Sequence, residues 1–199
     1  MKVLVACEES QVVTKAFRER GHEAYSCDLL PCSGGHPEWH LQEDVAPLLQ
    51  KNWDLLIAHP PCTYLSYVGN IWFTEKYRSR FPERPRQREE AKQFFLLFVS
   101  APIPRKAIEN PSGVMNTTYR KADQTISPHL FGEDISKRTC LWLFNLPKLE
   151  PTKIVENPTP FQLWELRQGA MSKMTPQERS TFRSKTSLGI AKAMAEQWG

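Results

Sequence analysis

Two short stretches of this chain hold residue types that can do chemistry together: His59-Pro60-Pro61-Cys62 and Glu109-Asn110-Pro111. A thiol can add to an electron-poor carbon. A carboxyl group can protonate the atom that collects the displaced electrons, so the pair suits nucleophilic addition with general-acid help. Each stretch follows an apolar run, Trp53-Asp54-Leu55-Leu56-Ile57-Ala58 before the cysteine and Ala107-Ile108 before the acid. Short apolar runs stopped by proline read as buried strands that end abruptly. The tandem prolines fix their own φ, and Pro61 restricts Pro60, so the thiol leaves the strand in a set direction. Open α/β sheets carry their sites at the carboxyl ends of strands, where both groups are expected. Taken singly, a buried cysteine and a surface glutamate are the plainer alternatives. Together, at matching strand ends, they define a candidate site.

The elements that must position these groups alternate between strand and helix. Lys2 to Cys7 reads as a first strand, followed by a helix with Val12, Val13, Ala16 and Phe17 on one face and Gly21 as its C′ residue. Glu23 to Asp28 reads as a second strand, residues 31–43 as a loop, and Val45 to Leu49 as a short helix. The run 53–58 is the next parallel strand, and a helix over 88–99 turns Ala91, Phe94, Phe95 and Phe98 to a core. Further strands are predicted at Arg105 to Ile108 and Thr139 to Phe144. Thr175-Pro176-Gln177-Glu178 is a capping box, and a last helix runs from Ser187 to Trp198. This alternation predicts an α/β fold, a doubly wound, mostly parallel sheet formed by residues 1–199 as one domain.

With 199 residues, 40% of them apolar, the chain can bury one sizeable core. No run reaches the roughly 18 apolar residues of a membrane span, and no signal-peptide pattern opens the chain. Five scattered cysteines suit reduced thiols, so a cytoplasmic location is expected, with no membrane partner. The net charge of +4 permits a polyanionic partner without requiring one.

A nucleotide binder usually follows its first strand with G-x-G-x-x-G, which lets backbone approach a pyrophosphate. Here the stretch is Ala6-Cys7-Glu8-Glu9-Ser10, with no glycine. That pattern disfavours NAD or ATP and is compatible with a ligand that has an adenosine, no phosphate and a cationic centre. S-adenosylmethionine has this description. Asp28, at the end of the second strand, is placed to take ribose hydroxyls, and Asp44 to accept from the adenine amino group. The alternative for Glu8 and Asp44 is that they favour helix N-termini through the dipole.

These residues resemble the cytosine-C5 DNA methyltransferases, and within them the short phage-type forms. Pro60-Pro61-Cys62 is similar to the family's nucleophile motif, Glu109-Asn110-Pro111 to its Glu-Asn-Val motif, and Lys137-Arg138-Thr139 to the motif that supplies a substrate-contacting arginine. Ser187-Leu188-Gly189-Ile190-Ala191 resembles the final motif, and all follow the family's order. The resemblance implies a Rossmann-like methyltransferase fold with S-adenosylmethionine as cofactor. It implies catalysis by Cys62, Glu109, Asn110 and Arg138, and cofactor contacts at Cys7, Glu8, Glu9, Ser10, Asp28, Leu29, Asp44, Val45 and Pro60. Cys62 would attack cytosine C6 while protonated Glu109 donates to N3; His59 or Arg138 would favour the thiolate, and burial would raise the Glu109 pKa. For a phage-encoded protein, the cytoplasm would be that of a bacterial host.

Two departures bear on the substrate. The glycine-rich cofactor loop is missing, and only residues 146–186 stand where duplex-reading members insert a recognition domain. Single-stranded or locally opened DNA is therefore the expected partner, with His59 and Pro61 near the substrate and Arg84, Arg86 and Arg88 in the basic 76–88 segment as phosphate contacts. A solvated linker is the alternative for that segment. C5 modification of a free pyrimidine nucleotide, such as a cytosine nucleotide, or a catalytically idle DNA-binding relative, are the competing functions. Cys27, Cys32, His36 and His40 have zinc-preferring ligand types without a finger's spacing, and a loop over the cofactor is the favoured reading.

Overall fold

The computed structural model describes residues 1–169 and 173–199. Seven strands form one sheet: β1 (Lys2–Ala6), β2 (Glu23–Cys27), β3 (His40–Leu41), β4 (Leu55–Ala58), β5 (Arg105–Asn110), β6 (Gln124–Ile126) and β7 (Thr139–Phe144), in the order β3-β2-β1-β4-β5-β7-β6. Among these strands β7 alone runs opposite to the rest, antiparallel to both β5 and β6. This is the doubly wound, mostly parallel, Rossmann-like sheet that the alternation predicts. The order reverses between β1 and β4, and the crevice beyond their carboxyl ends is where such sheets bind ligands.

Strand alternation divides the core into two layers. Val3, Val5, Leu55, Ile57, Ala107 and Leu141 point to one face, where α1 (Val12–Glu19) and the last helix cover them with Val13, Phe17, Ile190, Met194 and Trp198. Leu4, Leu56, Ile108, Cys140 and Trp142 point to the other face, against α2 (Val45–Leu48) and the longer α4 (Arg84–Ser100). The period of two in each strand thus sends neighbouring apolar residues into opposite layers.

Several boundaries differ from expectation. The helix expected over 88–99 begins at Arg84, so part of the basic segment is helical. Residues 31–43 contain a 3-10 turn, Pro37–Trp39, and the two-residue strand β3. The three-residue β6 has no counterpart in the sequence reading. A short α3 (Glu75–Arg78), α5 (Met115–Thr118) and α6 (Phe161–Arg167) complete the loops, followed by α7 (Pro176–Ser184) and α8 (Leu188–Trp198). The Thr175–Glu178 capping box is formed, and Gly21 is left-handed at φ 80° beyond α1. Among the described residues no helix is long and apolar enough to cross a membrane.

The α8 N-terminus meets the sheet edge closely. Ser187 Oγ and Gly189 N both donate to Glu133 Oε1, at 2.6 and 2.7 Å. A Cβ on Gly189 would overlap the Phe131 carbonyl, a backbone group that cannot swing aside. Gly189→Ala gains about 1 kcal/mol in helix propensity but incurs about 1–3 kcal/mol of overpacking. The expected net loss of up to about 2 kcal/mol is read from urea unfolding.

Candidate active site

The pairing of β4 with β5 brings the two chemical stretches together. Ala58 lies opposite Ile108, so the residues just beyond β4 face Glu109 and Asn110 at the end of β5. His59 N–H continues the ladder to Ala6 O at 2.9 Å. Asn110, buried, donates from Nδ2 to Pro60 O at 2.7 Å and ties the two loops. Leu65 and Ser66 N–H both return to Cys62 O at 3.0 Å, which closes a turn with the cysteine residue exposed. His59 Nδ1 lies 3.0 Å from Glu109 Oε2; the two side chains are 7% and 20% exposed.

The electrostatics differ from the sequence expectation in three ways. Protein packed around the Cys62 thiol pushes its pKa up although the residue as a whole is exposed, and the Glu109 carboxylate adds to this; Lys137 acts in the opposite sense. Glu109 moves the other way from the raised value expected. Burial does raise it, but the His59 hydrogen bond and charge, Lys137 and the Thr139 hydroxyl outweigh burial and leave the carboxyl below its ordinary value. Lys137 is the cation that faces Glu109 and Cys62, Arg179 and Arg183 line the larger cleft, and Arg138 is exposed and lines neither cavity. Alternation explains the exchange: Lys137 shares parity with Thr139 and Leu141, on the Glu109 face, and Arg138 points the other way.

A cleft of about 570 Å³ opens at the switch point, lined by Cys7, Glu8, Glu9, Ser10, Asp28, Leu30, His59, Pro61 and Cys62 among others. The glycine-free loop makes its left-handed turns with Cys7 (φ 59°) and Gln11 (φ 58°), a conformation uncommon for residues other than glycine. Glu8 lines the cleft but its carboxylate is engaged with α1, accepting from Val13 N, Thr14 N and Thr14 Oγ1 at 2.6, 3.2 and 2.7 Å. The helix end that would hold a phosphate is thereby occupied by a side chain. Glu9 accepts from Ser33 Oγ at 2.8 Å through Oε2, while its Oε1 is buried without a partner.

Four expected cofactor contacts lie elsewhere. Leu29 is 73% exposed and Leu30 takes the place in the wall. Val45 is buried in the core layer under α2, and Asp44 caps that helix by accepting from Ala46 N at 2.9 Å. Pro60 is buried beneath the turn, bound through its carbonyl to Asn110, and Pro61 faces the cleft. Cys27, Cys32, His36 and His40 do not converge: Cys27 bonds Glu43 O, Cys32 bonds Gln11, His36 stacks on Trp39, and His40 bonds Ser26. Among the described residues no three metal-ligating side chains come together.

A second, smaller cavity of about 200 Å³ adjoins the cleft, and Ser184 and Thr186 line both. Glu109, Lys137 and Thr139 form its polar wall. Its other side is a stack contributed by α6 and α7: Trp164 lies parallel to Phe161 and Phe182 at 5.9 and 5.2 Å. The α6 and α7 segments therefore lie over the strand ends. Buried Glu165 on α6 pairs with Arg183 on α7 and holds these two helices together. The aromatic wall was not anticipated, because Trp164 and Phe182 are separated by residues that give no periodic signal.

No family model matches the chain, and no curated protein matches it. Among solved structures it is similar to an E. coli protein described as a DNA modification methyltransferase encoded within a prophage, at 13% identity and a TM-score of 0.49. It is similar also to the Dnmt2 methyltransferase of S. pombe, at 13% identity and 0.48. Each match covers 88% of this chain and 56% of the other, so the chain spans little more than half the length of either. At such distance the function has to be argued from the site itself.

Away from the cleft, the basic segment is occupied with internal contacts. The Arg84 guanidinium sits 5.1–5.7 Å from the rings of Tyr64, Trp72, Phe73 and Phe81. Arg86 pairs with Glu83 and Glu90. Arg88 lies over Phe73 at 3.3 Å and donates to Tyr64 O at 2.9 Å and Asn70 Oδ1 at 2.7 Å. None of the three lines either cavity. Arg84 and Arg88 hold the 63–81 loop onto α4, whereas Arg86, exposed, pairs with Glu83 and Glu90 along the helix itself. Arg88→Ala should lower stability by about 1.5–3 kcal/mol, the range for hydrogen bonds to a charged group, measured by chemical denaturation. It should also open residues 63–81 to protease.

Proposed function

We propose that this chain transfers a methyl group from S-adenosylmethionine to C5 of cytosine, with Cys62 as a covalent nucleophile. The observation that carries this reading is the convergence of Cys62 and Glu109 on adjoining cavities beyond the carboxyl ends of β4 and β5. The aromatic-walled cavity suits a pyrimidine ring, with Glu109 toward N3 and Lys137 toward the carbonyl. The larger cleft suits the cofactor on two grounds: the unpaired Glu9 oxygen calls for a donor, and Glu8 occupies the amides a phosphate would need. Both carboxylates and the guanidinium groups of Arg179 and Arg183 line it, which suits a ligand that carries both signs of charge. Asp28, at the end of β2, would hold the ribose. When bound, S-adenosylmethionine supplies an electrophilic methyl group.

The protein's own part follows from the ring chemistry. Cytosine C5 is a poor nucleophile until sulfur adds at C6, and addition is easier when N3 is protonated as it gains electrons. Asn110 keeps the nucleophile turn against the Glu109 strand, so that thiol and carboxyl keep their spacing. Transfer of H5 as a proton to a water in the cleft, with its C–H electrons forming C5=C6 as Cys62 leaves as thiolate, would then restore the ring. A base stacked in duplex must first be taken out, which favours single-stranded or opened DNA. The internal commitment of Arg84, Arg86 and Arg88, together with the roof formed by α6 and α7, favours a second reading in which the substrate is a free cytosine nucleotide.

Tritiated methyl transfer to duplex DNA, single-stranded DNA, RNA and free nucleotides tests these readings. Label recovered as 5-methylcytosine, more from single-stranded than from duplex DNA, is the expected result. Label in the free nucleotide without DNA would put the second reading first, and no label in any cytosine substrate would overturn both.

A further inference from the structure

We propose that Arg179, on the roof helix α7, binds the carboxylate at the amino-acid end of the cofactor and so selects a ligand that carries that group. The inference rests on the reading of the larger cleft as a site for S-adenosylmethionine.

The larger cleft has two unlike sides. The loops that leave β1, β2 and β4 form the sheet side and contribute Glu8, Glu9 and Asp28. The opposite side is α7 and the linker after it, which contribute Arg179 and Arg183. These two stand four residues apart, so one face of α7 carries both guanidinium groups into the cleft. The helix is held there from the roof's own side. Arg183 grips both oxygens of buried Glu165 on α6, and its carbonyl accepts from Lys137 Nζ at 2.6 Å. Arg183 is thereby committed to the roof. Arg179 lies one turn nearer the start of α7, partly buried, and donates from Nη2 to Met174 O at 3.3 Å. A guanidinium has five N–H donors in a fixed fork, so it can hold a backbone carbonyl and a ligand carboxylate together.

The sulfur of the cofactor carries three arms, and the walls of the cleft distribute them. The methyl group has to face Cys62, and the adenosyl arm runs toward Asp28, which leaves the arm that ends in an ammonium and a carboxylate. The sheet side has no place for the carboxylate. The amides that open α1 would be its usual donors, but Glu8 already occupies those of Val13 and Thr14 at 2.6 and 3.2 Å. Glu9 and Asp28 would repel it, and His59, the nitrogen base in that wall, is turned to Glu109. A carboxylate taken into a cleft needs a cation or donors to offset its lost hydration. Among the described residues the Arg and Lys side chains lining the cleft are those of α7, and Arg183 is bound to Glu165. Arg179 is therefore the residue that meets the carboxylate, through two parallel N–H···O bonds of the kind that recognise a planar anion. The roof then serves both cavities, its aromatic stack closing the smaller and its guanidinium face the larger.

Calorimetric titration with S-adenosylmethionine and with its decarboxylated analogue tests the assignment without any transfer reaction. The analogue keeps the adenosine, the sulfonium and the ammonium and lacks only the carboxylate. The protein should bind S-adenosylmethionine about tenfold or more tightly than the analogue. Arg179→Gln should erase that preference by weakening S-adenosylmethionine alone. Its unchanged affinity for the analogue would show the cleft intact. Arg179→Lys, which keeps the charge and loses the fork, should retain only part of the preference. A preference that survives in Arg179→Gln, or an equal loss for both ligands in both variants, would overturn the proposal. Equal affinity of the unaltered protein for the two ligands would also overturn it and leave the cofactor reading standing. No binding of either ligand would remove the cofactor reading and this inference with it.

Discussion

The register of β4 on β5 is the constraint on which the site depends. With Ala58 opposite Ile108, the chain leaves β4 beside Glu109 and Asn110, and His59 can reach Glu109 while Asn110 reaches Pro60. Side chains alternate along a strand, so a slip of one residue would turn Glu109 into the α4 layer and bring Ile108 toward the cleft. That slip is opposed by the core itself, since Ala107 and Ile108 are each buried in a different layer. The packing of the apolar residues therefore fixes the chemistry of the polar ones that follow them.

Around that register, buried charges are arranged in compensating groups. Glu8 satisfies the first amides of α1, Glu133 the start of α8, and Glu165 is matched by Arg183 between the two helices of the roof. Glu109 is matched by His59 and faces Lys137. Carboxylates without such partners are costly to bury. Glu9 Oε1, His59 Nε2 and Asn110 Oδ1, each buried without a partner, stand out for that reason. Lys137 ties the roof to the same place, donating to Arg183 O at 2.6 Å with its ammonium over Phe161.

Much of this was legible in the sequence, because proline-terminated apolar runs and a 3.6-residue helical pattern are local signals. The strands ending before His59 and at Glu109, the helix behind Phe95 and Phe98, and the capping box at Thr175 were all readable in this way. The errors came where the deciding neighbour is remote. Arg138 and Lys137 are equally basic in the sequence, and only the direction of β7 selects Lys137. Arg84 and Arg88 read as free cations until Tyr64, Asn70 and Phe73 fold back onto them. Glu109 was expected to be raised by burial alone, and its histidine partner stands 50 positions earlier. The three-residue β6 and the two-residue β3 are too short to carry a period, and pairing with a neighbour is what makes them strands.

The central claim is that Cys62 bonds covalently to a cytosine ring held against Glu109. Single-stranded DNA bearing 5-fluorocytosine tests it most directly, since fluorine in place of H5 blocks the elimination that would release the sulfur. With S-adenosylmethionine present, the account predicts a denaturation-resistant complex whose cross-linked peptide contains Cys62 and which Cys62→Ala does not form. Methylation of ordinary cytosine with no trapped complex, or a complex that persists in Cys62→Ala, would contradict it.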